Sequence, residues 1–147
     1  MKKLLVVLPL ILLLCCSESV RLEFFPLLPS KTGTFQDKST GKVDYFVVKN
    51  LDINNQLHIA EVDSFVLKKH DQEFKKYNSY QMLFYKYSRF GMNENFKHNE
   101  EDLIEWKGDD LLLEYNWQNG KFSGINYYKN GVGVKYYQKS KLISNEF

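Results

Sequence analysis

The 147 residues carry 20 Lys and Arg against 18 Asp and Glu, and 16% of them are aromatic. Without Lys2 and Lys3 the charges balance at eighteen each, so a sequence pI near 8.4 is no evidence for nucleic-acid binding. The length suits one domain with its own core, and because both cysteines lie at positions 15 and 16, the rest of the chain is without disulfide, thiolate metal site or thiol nucleophile.

The first predicted element is the leader "MKKLLVVLPLILLLCC". A membrane-crossing helix needs about 20 apolar residues, and the run from Leu4 to Leu14 stops short of that before Ser17, Glu18 and Arg21. A basic start, a short apolar middle and small residues at its end make a secretory signal. The "LLCC" at its close resembles the lipobox of bacterial lipoproteins, a Leu-x-small-Cys cleavage box. That resemblance implies a signal peptide over 1–15 and a lipid on Cys16, which becomes the first mature residue. It also implies export to the bacterial cell envelope, with anchoring to a membrane on its periplasmic or surface side. Leu13 would open the box, and Leu14 departs from the smaller residue usual in second place. Two alternatives stay open: modification at Cys15, and an ordinary secretory signal with incidental cysteines.

Residues 16–41 read as a lipid-anchored tether and an irregular lead-in, rich in Pro, Ser, Thr and Gly, with "RLEFF" able to add an edge strand. From 42 to 147 a single α+β domain is expected. "KVDYFVVKN" is β-branched and aromatic and predicts a strand. Asn55 is the natural N-cap of a helix that runs on to Asn78, with Ile59, Val62, Phe65, Val66, Phe74 and Tyr77 on one side and Asp63, Lys68, Lys69, Asp71, Lys75 and Lys76 on the other. "SYQMLFYKYSR" follows, then a polar stretch, then three or four short strands at "LIEW", "LLLEYNW", "KFSGINYYK" and "VGVKYYQ", and the Asn-Gly pairs at 119–120 and 130–131 suit two-residue hairpin turns. The spacing of "WQNG" and "YKNG" resembles MORN-like repeats, although any regular meander produces it.

The expected architecture is therefore one long amphipathic helix packed on a curled antiparallel sheet of about four to six strands. This element order resembles that of cystatin-like and nuclear-transport-factor-like small domains, and the resemblance extends to the order alone, since no cystatin Gln-x-Val-x-Gly loop is present.

Chemistry is sparse. His58, His70 and His98 are scattered, and no nucleophile elbow, phosphate-binding loop or metal-ligand spacing occurs. No catalytic residue, metal or cofactor is assigned, and a non-enzymatic protein is expected. What remains is a surface for binding. Acidic residues gather over 94–114 and lysines over 121–141, which permits either cross-strand pairing or steering of a charged partner. Adjacent tyrosines at 127–128 and 136–137 point to opposite sheet faces, so one of each pair can serve recognition. Tyr128, Lys129, Lys135 and Tyr136, around the turn at Asn130-Gly131, are the candidate partner-binding residues. The expected partners are the membrane, through the lipid, and another protein, with no nucleic acid. A lipid-anchored binding module fits, and so does a periplasmic inhibitor or immunity-type protein that neutralises an effector.

Overall fold

The β-branched and aromatic run ahead of Asn50 forms a strand, β2 (Thr40–Lys49). The computed structural model describes residues 21–70, 73–87 and 108–137. Before β2 comes β1 (Glu23–Thr34), and after it come α1 (Gln56–His70), β3 (Ser79–Lys86), β4 (Leu111–Gln118), β5 (Lys121–Lys129) and β6 (Val132–Tyr137). Short 3-10 turns occupy Glu73–Lys76 and Gly108–Asp110. The six strands make one sheet in chain order, β1-β2-β3-β4-β5-β6. The leader with Cys16, the "LIEW" segment, Asp71, His98 and most of the acidic run lie outside the described residues, as do the side chains of His70 and Phe74.

Two parts of the expected architecture are overturned: the helix is short and the sheet is mixed. β2 and β3 run parallel, from Gly41 opposite Ser79 to Val48 opposite Lys86, while every other neighbouring pair is antiparallel. The cause is the crossover. Parallel neighbours need a connection of about a dozen residues or more, and α1 supplies it. The same crossover limits the helix. At about 1.5 Å per residue the 15 residues of α1 rise about 22 Å, close to the roughly 26 Å covered by the eight paired residues of β2. A helix continued to Asn78 would rise about 34 Å and overshoot the level at which β3 must begin.

Local chemistry places the helix start. Asn55 Oδ1 accepts the Leu57 amide at 3.0 Å, as an N-cap does, and Asp52 Oδ1 accepts the Asn54 amide at 2.9 Å in the turn before it. Ile59, Val62 and Val66 bury against a sheet face made of Phe46, Val48, Met82, Phe84, Leu113, Trp117 and Ile125. Phe65 is half-buried and stacks on Phe24 at 4.1 Å. Asp63, expected on the polar side, is instead buried and accepts the Tyr115 hydroxyl at 2.6 Å.

β1 reaches well past the "RLEFF" edge strand. Its pairing with β2 shifts register between Pro26 and Leu28 and again between Leu28 and Lys31, and these bulges accommodate Pro26 and Pro29 on an edge strand. At the other end of the sheet, Asn119 and Gly120 have φ of 50° and 72°, and Asn130 and Gly131 have 52° and 73°, the left-handed pairs that close two-residue hairpins.

Candidate functional site

Side chains alternate across a strand, so the sheet has a second face away from α1. Toward β1 that face is apolar: Tyr45, Val47 and Tyr85 are buried among Leu27, Leu28, Val43, Leu83 and Leu111. Toward β5 it becomes polar, because β3 contributes Gln81, β4 contributes Glu114 and Asn116, and β5 contributes Asn126 and Tyr128. The register sets Glu114 opposite Leu83 on one side and Asn126 on the other, which draws these groups together.

Glu114 is the hub. Its Oε1 accepts Gln81 Nε2 at 2.9 Å, and its Oε2 accepts Asn126 Nδ2 at 3.1 Å and the Tyr128 hydroxyl. Gln81 Nε2 also donates to Asn116 Oδ1 at 3.0 Å. Burial pushes the Tyr128 phenol up to about 12, aided by its hydrogen bond to Glu114 and by that carboxylate's charge. Burial likewise raises Tyr85, with contributions from Tyr45 and Glu114. At neutral pH these phenols are therefore neutral donors. Three side-chain donors thus fix the Glu114 carboxylate in place on this face of the sheet.

Of the four residues singled out from sequence, Tyr128 and Lys129 adjoin the Asn130-Gly131 turn, Tyr128 half-buried and tied to Glu114, Lys129 exposed. Lys135 and Tyr136 lie in β6, opposite Tyr127 and Asn126, and their side chains lie outside the described residues. The second strand of the hairpin also presents Val132 and Val134, which are 64% and 55% exposed. Sequence reasoning passed over these valines and over Gln81 and Asn126, and counted Glu114 only as part of the acidic run at 94–114. The signal for Glu114 was present in "LLLEYNW", where Glu114 and Asn116 alternate with Leu113, Tyr115 and Trp117.

The opposite-sign pairing considered for the acidic and basic runs takes another form at Glu114, whose hydrogen-bond partners are two amides and a phenol. His58 Nδ1 accepts the Asp52 amide at 3.1 Å and so closes the loop before α1. Among the described residues no three His, Cys, Asp or Glu side chains gather as a metal site would require, and no helix is long and apolar enough to cross a membrane. Compared with protein families, curated proteins and solved structures, the chain matches none.

Proposed function

We propose that the protein is a lipid-anchored binding module of the bacterial cell envelope, held through Cys16 and docking a protein partner at the β5–β6 end of its sheet. The observation that carries the docking surface is the exposed pair Val132 and Val134 on the outermost described strand, beside exposed Lys129. Exposed aliphatic side chains on a sheet edge invite a second chain, and the neighbouring Lys129 favours an acidic one. The platform around Glu114 holds Tyr128 rigid next to this edge, which lowers the ordering cost of binding. The leader supports export and anchoring. If the captured partner is a toxic effector, the module is an inhibitor or immunity-type protein.

Photo-crosslinking in intact cells tests the surface. A crosslinking residue at Val132 should trap one partner, Lys129→Glu should weaken the adduct, and the same probe at Leu57, 72% exposed on α1, should trap none. No adduct at Val132, or the same adducts from both positions, would overturn the assignment. Labelled palmitate should enter the wild-type protein and not Cys16→Ser, which should also become soluble. Label lost only in Cys15→Ser would move the lipid by one residue, and no label in any of them leaves the plain secretory reading.

A further inference from the structure

At the opposite edge of the sheet, β1 bulges away from β2 and opens a cleft of about 450 Å³. Pro26, Leu28 and Ser30 line it from β1, Lys42, Asp44 and Phe46 from β2, and Lys69 from the last turn of α1. Leu28 pairs with Tyr45 and the next pair is Lys31 with Val43, so Asp44 faces the looped-out Pro29 and Ser30.

Asp44 is 8% exposed. Its Oδ2 accepts the Tyr80 hydroxyl at 2.5 Å and lies 3.5 Å from Lys42 Nζ, which itself sits 5.6 Å from the centre of the Tyr80 ring. Its Oδ1 is cut off from water and has no hydrogen-bond partner. Buried polar atoms are almost always paired, and an unpaired carboxylate oxygen beside a cleft is the kind of exception that marks a ligand position. Rotation about the Cβ–Cγ bond of an aspartate is soft, so Oδ1 can turn toward a donor that enters the cleft.

We propose that this cleft is a binding site for a small hydroxylated anion of the sugar-acid class. A hydroxyl of the ligand donates to Asp44, and its acid group lies against Lys42 and Lys69. Among the described residues, two lysines line the cleft against one carboxylate, a balance that favours an anion. A ligand amine would meet Lys42 at the same carboxylate, whereas a hydroxyl adds no like charge. The volume lies in the range of small-molecule sites, and Pro26, Leu28 and Phe46 supply the apolar wall such sites need. The site is separate from the β5–β6 surface and does not depend on it.

Calorimetric titration of the full-length protein in detergent with glucuronate, glucose and acetate tests the proposal. Glucuronate should bind saturably in the micromolar to millimolar range, at least tenfold more tightly than glucose or acetate. Lys69 is exposed, so Lys69→Ala should fold normally and bind glucuronate at least fivefold more weakly. Asp44→Asn should weaken it further if it folds. No saturable binding, equal binding of acetate or glucose, or unchanged affinity in Lys69→Ala would each overturn the assignment.

Discussion

Phe84→Ala should lower the unfolding free energy by about 3–5 kcal/mol, read from urea denaturation. Phe84 is fully buried at the centre of β3, and its ring contacts four others. Phe46 stacks on it at 5.4 Å, while Phe24, Phe65 and Tyr115 meet it edge-on at 6.4, 6.1 and 5.5 Å. Those partners belong to β2, β1, α1 and β4, so one truncation leaves a cavity where these four elements meet β3. Leu57→Ala, at an exposed helix position, should change stability by less than about 0.5 kcal/mol. Equal effects of the two changes would sink the assignment of this ring cluster as the core.

Asp63→Ala should cost about 1.5–3 kcal/mol, because it takes the acceptor from a fully buried tyrosine hydroxyl and the bond it removes is charge-assisted. Asp63→Asn keeps an acceptor oxygen and should cost less. The pair also predicts alkaline behaviour. Burial, the Asp63 charge and the hydrogen bond hold the Tyr115 phenol well above its usual value near 10, and burial does the same, more weakly, for Tyr127. A group whose folded value is raised stabilises fully below its unfolded value and loses that contribution as pH climbs toward the folded one. Stability set by these phenols should thus be flat from neutral to about pH 9 and fall above about pH 10, with the Tyr115 phenolate, followed by site-resolved NMR, appearing together with unfolding. Ionisation of Tyr115 itself at the ordinary phenol pH while the fold persists would contradict its burial.

Local signals in the chain were legible. The Asn55 cap, the strands β2 and β4 to β6, and the two Asn-Gly turns each depend on residues a few places apart, and the structure has them where those residues point. The pairings that overturn the expected fold join residues far apart. The parallel ladder between β2 and β3 depends on where the crossover ends, and the length of β1 depends on β2 holding a strand with two prolines in place. Charge on Asp63 suggested solvent, but its partner Tyr115 comes from another element, 52 residues away. The candidate site divides in the same way. Tyr128 and Lys129 flank a turn that their neighbours specify, whereas the Glu114 cluster draws on three strands and the Asp44 cleft on a bulge in a fourth.

Strand order that follows chain order bears on how the protein is made. Each described strand after the first lies beside the one before it in the chain, so none of these six waits for a partner synthesised later. The β2–β3 step spans residues 50–78, and α1 shortens that loop as it forms. On the proposed export route, a chain threaded from its N-terminus through a translocation pore could lay down these strands one rung at a time, each newly exposed edge sheltered by the next strand to emerge. Such vectorial assembly limits the time an open edge is available for aggregation, the hazard that sheet-rich chains face before they are complete.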